Sequence, residues 1–176
     1  MSQPVRHVVL LGLMGVGKTS VGRPLSVILG WRLDDSDETI AREQGATVRE
    51  LSEQLGVDGM HELEARHLLK ALLARDRSVI CAAASVVDWK PCREALRRRD
   101  VLTVWLQADP STLASRFSSG PHRPVLGDDP TRLLRRQLQE RASRFAAIES
   151  YRVVSEGRDP HDIALELGHL VQARRR

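Results

Sequence analysis

Near its start the chain passes from an apolar run, Arg6-His7-Val8-Val9-Leu10-Leu11, straight into Gly12-Leu13-Met14-Gly15-Val16-Gly17-Lys18-Thr19. The second stretch fits G-x-x-x-x-G-K-[ST] at every fixed position. A continuous apolar run of this length reads as a strand buried on both faces. The residues from Thr19 to Leu29 read as a helix that Gly30 can close. Between them, glycines let backbone N–H groups turn inward around an anion, and the helix points its positive end at the same place. The pattern therefore implies a bound nucleoside triphosphate with Mg²⁺. Gly12, Met14, Gly15, Val16, Gly17, Lys18, Thr19 and Ser20 would line it, with Lys18 reaching the β- and γ-phosphates and the Thr19 hydroxyl ligating the metal.

Strands and helices alternate along the rest of the chain. Trp31–Asp34 reads as a short strand ending in the acidic cluster Asp34-Asp35-Ser36-Asp37-Glu38. Thr47 and Glu50 have capping-box spacing, and Asp58–Ala74 repeats leucine at helical spacing. Ser78–Ala84 and Val101–Gln107 are further apolar strands, with a helix through Pro91–Arg99 between them. Three later helices open alike, on Asp109–Pro110, Asp129–Pro130 and Asp159–Pro160, each placing a side-chain acceptor at the cap and a proline in the first turn. Tyr151–Ser155 is a last strand. Such alternation predicts a three-layer α/β/α sandwich around a central parallel sheet. The Gly- and Pro-rich stretch between the first two Asp–Pro pairs reads as a mobile lid, about 118–130.

At 176 residues, with 41% hydrophobic and 28% charged, the chain fits one globular domain, 1–176. No apolar run approaches the roughly 20 residues that span a bilayer. The first residues carry no signal-peptide pattern, so the expected address is the cytoplasm and no membrane partner is expected. Cys81 and Cys92 are too few for a disulfide framework and read as reduced structural thiols. The net charge of +4 calls for an anionic partner. With only 3% aromatic residues a stacking surface for nucleic acid is not expected. The runs Arg97–Arg99 and Arg174–Arg176 read as solvated helix ends. A nucleotide accounts for the charge.

Gly12–Leu25 resembles the opening of shikimate kinases, whose loop reads G-x-M-G-x-G-K-[ST] followed by G-R-x-L. Asp35-Ser36-Asp37 resembles the family's D-x-D, and His122-Arg123-Pro124-Val125-Leu126 its R-P-L-L lid. Arg141 lies in the helix beyond, so the likeness runs from Leu10 to about Tyr151. The resemblance implies a nucleoside monophosphate kinase-like P-loop fold and transfer of the ATP γ-phosphoryl group to a small hydroxylated, anionic acceptor, shikimate first among them. It implies that Asp35 holds the metal through water and that Asp37 accepts a hydrogen bond from the acceptor hydroxyl. Arg123 would neutralise the transferring phosphoryl, Arg141 grip the acceptor's anionic group, and Arg158 border the adenine. From charge patterning alone, a dipole-favoured helix start is the readier reading of the acidic cluster, and its place after a strand behind the phosphate loop turns the reading toward function.

Three departures bear on the acceptor. Met60-His61 replaces a phenylalanine–arginine pair, and a histidine cannot copy a planar five-donor fork. Ala83-Ala84-Ser85 replaces three glycines, so any position that needs a positive φ would be strained. Phe145-Ala146-Ala147 stands where a tyrosine and a glutamate are usual. His61, Ala83 and Ala84 are thus expected at an altered acceptor pocket, together with Asp37 and Arg141. Val79–Arg98 is also similar to a segment of the gluconate kinases, through Cys81, Ala82 and Arg93. The readings open on the sequence are a kinase for shikimate, a kinase for a sugar acid, cyclitol or specialised metabolite, and a nucleotide-binding protein without turnover. A kinase for RNA ends or nucleotides fits least. The chain is expected to be a monomer or homodimer.

Overall fold

The computed structural model describes residues 4–117 and 129–174. Strand β1 (His7–Leu11) is buried at all five positions, which requires cover on both of its faces. Helices provide it, and all five strands run parallel in the order β2-β3-β1-β4-β5. These strands are β2 (Arg32–Asp35), β3 (Ser78–Cys81), β4 (Val101–Gln107) and β5 (Tyr151–Val154). The winding starts at the central strand, goes out to β2, returns to β3 and then crosses to β4. The end of β1 therefore lies where the strand order reverses, the place where open α/β sheets form a crevice.

Helix α1 (Lys18–Leu29) leaves that crevice and is closed by Gly30 at φ 63°. It packs along α7 (Pro160–Ala173), while α3 (Val48–Leu73), α4 (Lys90–Leu96) and α6 (Pro130–Ala146) meet around a short 3₁₀ turn, Ala84–Asp88. Helix α2 (Ser36–Gln44) follows β2 directly, and α5 (Pro110–Phe117) follows β4. The expected sandwich is present.

Local signals act as read. Thr47 Oγ1 accepts from Glu50 N at 3.2 Å while Glu50 Oε2 accepts from Thr47 N at 2.7 Å. Asp109, Asp129 and Asp159 each accept from a backbone N–H in the first turn of their helices, at 2.8, 2.9 and 2.7 Å. The two helices expected on either side of Gly56 form one run, α3, bent where Gly56 takes φ 67°. Helix α4 stops at Leu96, and the following arginines are not simply solvated. Arg98 grips Asp100 and donates to the Leu72 carbonyl at 3.0 Å, and Arg97 donates to the Ala147 carbonyl. The expected lid and Arg123 lie outside the described residues, except that Asp129 and Pro130 open α6.

Phe145 is fully buried and stacks on Trp105 with ring centroids 5.2 Å apart, so this departure serves the core. Beneath the acidic cluster, buried Asp34 accepts from Thr39 Oγ1 at 3.0 Å and from His67 Nε2 at 3.1 Å. Burial opposes the Asp34 charge, but His67, Thr39 and Arg32 outweigh it and hold its pKa below the usual carboxylate value. A depressed carboxylate pKa adds stability above its unfolded pKa that is lost as pH falls through the folded one. Asp34→Asn is therefore expected to lower stability at pH 7 by roughly 2–3 kcal/mol in urea unfolding. The difference from wild type should shrink below about pH 4, where the native carboxylate takes up its proton. A constant difference across that range would contradict the assignment.

Candidate active site

Gly12, Gly15 and Gly17 have φ of 141°, 80° and 97°, so the loop is built from backbone that side chains rarely adopt. A Cβ on Gly12 would lie 2.5 Å from the Leu106 carbonyl, which shows how tightly the loop rests on the end of β4. Ser155, just past β5, donates to the Val16 carbonyl at 3.1 Å and lies 3.2 Å from that of Gln107. Lys18 opens α1, and its Nζ donates to the carbonyls of Gly12 at 2.9 Å and Leu13 at 3.3 Å. Desolvation draws its pKa down, against the pull of Asp37, Cys81, Asp35 and Glu64.

Asp35 ends β2 in register with Cys81 of β3. It caps α2, accepting from Asp37 N at 3.2 Å, and its other oxygen accepts from the Thr19 hydroxyl at 2.6 Å. One carboxylate thus caps the helix and also meets the residue that follows Lys18. Asp37 stands exposed in the first turn of α2, within electrostatic reach of Lys18. Thr19 and Asp35 offer the hard oxygen ligands that Mg²⁺ prefers. No group of three or more His, Cys, Asp or Glu gathers as a metal cage among the described residues. An ion here would rest on few protein ligands plus water and phosphate, the usual manner for Mg²⁺.

Helix α3, the 3₁₀ turn and α6 form the facing wall. Arg141 is buried, and its Nε and Nη2 both reach Asp88 Oδ2 at 2.8 Å, while Arg144 holds Oδ1. His61 is half-buried, and its pKa is lowered by burial and by Arg141 against the opposing pull of Asp88 and Asp58. The expected strain after β3 does not arise. Ala83 has φ −63°, the chain enters the 3₁₀ turn, and no described non-glycine residue has positive φ.

Glu64 escapes sequence reasoning, although its spacing of three from His61 puts both on one helical face. It accepts from the Ser85 hydroxyl and feels Asp37, Lys18 and Arg141. Burial pushes it up to about 7. Asp88 and Ser155 are missed as well, since both act through partners more than 45 positions away. Ser20 is exposed. Arg158 pairs with Glu166 at 2.6 Å and does not line the neighbouring cavity. That cavity of about 300 Å³ opens beside Leu13 and Val16, between the ends of β4 and β5 and the start of α5, with Glu156 on its wall. Burial raises Cys81 to about 12 and Cys92 to about 11, as suits structural thiols.

A phosphate-binding loop at the switch point of a five-stranded parallel sheet, faced by paired aspartates, defines a P-loop kinase of the nucleoside monophosphate kinase-like fold. The shikimate kinase family model matches residues 14–172, and the chain belongs to that family. It is 36% identical to the shikimate kinase of Symbiobacterium thermophilum over 171 residues, 96% of this chain and 97% of that one. The shikimate kinase from Acinetobacter baumannii in complex with shikimate superposes with a TM-score of 0.88 at 28% identity, over 96% of this chain and 94% of that chain. A gluconokinase from Sinorhizobium meliloti shares the fold, with a TM-score of 0.59 at 19% identity over 99% of this chain and 100% of that chain. The protein is an ATP-dependent kinase that phosphorylates a hydroxyl group.

A carboxyl group whose pKa is raised in the native state contributes stability below its unfolded pKa that is lost as pH rises through the folded value. Wild type should therefore lose stability between pH 4.5 and about 7 that Glu64→Gln retains. Thermal unfolding across that range measures this, and parallel curves for the two proteins would refute the raised Glu64 pKa.

Proposed function

We propose that this chain transfers the γ-phosphoryl group of ATP to a hydroxyl of a small polyhydroxylated acid, shikimate being the leading acceptor. The observation that carries the reading is that Glu64 feels Lys18 and Asp37, beside the Thr19–Asp35 pair, and also Arg141, which His61 feels in turn.

Phosphoryl transfer asks mainly for positioning and for positive charge around the moving group. The inward N–H groups of the loop and Lys18 hold the triphosphate. Thr19, and Asp35 through water, would hold Mg²⁺, which when bound offsets phosphate charge. Asp37 accepts the hydrogen bond of the acceptor hydroxyl and aligns its oxygen with the γ-phosphorus. As the new O–P bond forms, the bond to the β-phosphate oxygen breaks, ADP leaves, and the hydroxyl proton passes to Asp37. Arg123, outside the described residues, is assigned by family resemblance to the charge on the transferring group. Arg141, with His61 beside it, receives the acceptor's anionic group, and Ala83 and Ala84 form the pocket floor. The base lies in the cavity beside Val16. Buried, unpaired cysteines and dependence on ATP support a cytoplasmic setting.

With Mg²⁺ and ATP, shikimate should saturate in the micromolar to millimolar range in steady-state assays. Asp37→Asn is expected to lower kcat by about 10²–10⁴-fold with little change in nucleotide affinity. Lys18→Met should abolish turnover, and an active Lys18→Met enzyme would refute the phosphate assignment. No product from shikimate, with turnover of another hydroxy acid or polyol, would move the acceptor assignment elsewhere.

A further inference from the structure

The acceptor end of the pocket holds a carboxylate of its own. Arg141 directs two donors, Nε and Nη2, at one oxygen of Asp88, both at 2.8 Å, with its side chain only 10% exposed. Arg144, more open on the same helix, holds the other Asp88 oxygen. Asp88 itself is 27% exposed, so solvent reaches the pair and it is not sealed in the core. On α3, His61 lies close enough to feel both Arg141 and Asp88, and Glu64 feels Arg141. Since burial and Arg141 favour its neutral form, His61 adds no full charge there at neutral pH. A carboxylate arriving at this end meets a guanidinium already matched by an internal carboxylate.

We propose that Asp88 is a specificity-determining residue: it occupies Arg141 as a built-in carboxylate, and an acidic acceptor binds by displacing it onto Arg144. This rests on the acceptor reading above. Removing the Asp88 charge leaves buried Arg141 with only Glu64, itself pushed up to about 7, as a nearby acid, and a guanidinium so poorly matched favours an external carboxylate strongly. An uncharged acceptor gains nothing from the change. The native pocket therefore discriminates weakly between an acid and its neutral ester, and an Asp88 variant discriminates sharply.

The test compares shikimate with methyl shikimate on wild type, Asp88→Asn and Asp88→Ser. Calorimetry gives the two affinities, and a coupled assay gives kcat and KM. Wild-type affinity for a non-hydrolysable ATP analogue certifies that each variant is folded. Wild type should bind acid and ester within a few-fold of each other. In the variants the acid should bind about tenfold more tightly, the gain expected of one charge-assisted hydrogen bond. The ester's affinity should not change, and kcat should move little. Loss of structure alone would weaken binding, the opposite direction. A wild-type preference for the acid of tenfold or more, or no gain of acid affinity in folded variants, overturns the proposal. Absence of shikimate turnover in every protein would instead refute the acceptor assignment, while the binding comparison still decides the role of Asp88.

Discussion

The ammonium of Lys18 is drawn out of water where β1 turns into α1, and its donors are met by two backbone carbonyls of the loop, Gly12 and Leu13. A desolvated cation whose hydrogen bonds go only to neutral dipoles is a costly arrangement, and anionic oxygen in contact relieves it far better than a carbonyl does. Most of the molecule serves to keep that cation in place. The all-buried β1 fixes the start of the loop, Leu106 backs Gly12, and Ser155 binds the Val16 carbonyl.

Charge is then graded along the pocket. Asp35 and Asp37 face Lys18, Glu64 lies between with a pKa near 7, and Arg141 with Asp88 closes the far end. Groups of opposite sign spaced in this way orient a small polar molecule more than they attract it, which suits a reaction whose catalysis is largely alignment. His61 and Ala83-Ala84-Ser85 depart from the family pattern. Ser85 satisfies Glu64, and alanines without positive φ let the chain coil into the 3₁₀ turn that delivers Asp88 to Arg141.

Local rules made the fold legible. The buried first strand, the glycine loop, the capping box at Thr47 and the three Asp–Pro starts each depend on neighbours within a few positions, so the sequence displays them directly. The nucleotide half of the site was legible for the same reason, since one contiguous motif builds it. Asp34 with His67, Glu64 with Ser85 and Asp88 with Arg141 are pairs made by the meeting of distant elements. No period or spacing announces them, because each partner alone looks like an ordinary polar residue on a helix or turn. Arg158 shows the converse: a residue marked by likeness to a family is engaged by Glu166, a partner local to this chain.

The central claim is that the Lys18 ammonium and the Thr19–Asp35 pair are held for a triphosphate. A crystal structure with Mg²⁺ and a non-hydrolysable ATP analogue measures this most directly. The account predicts Lys18 Nζ released from the Gly12 and Leu13 carbonyls onto phosphate oxygens, with the metal beside Thr19 and Asp35. A triphosphate bound elsewhere, with Lys18 still on its carbonyls, would contradict it.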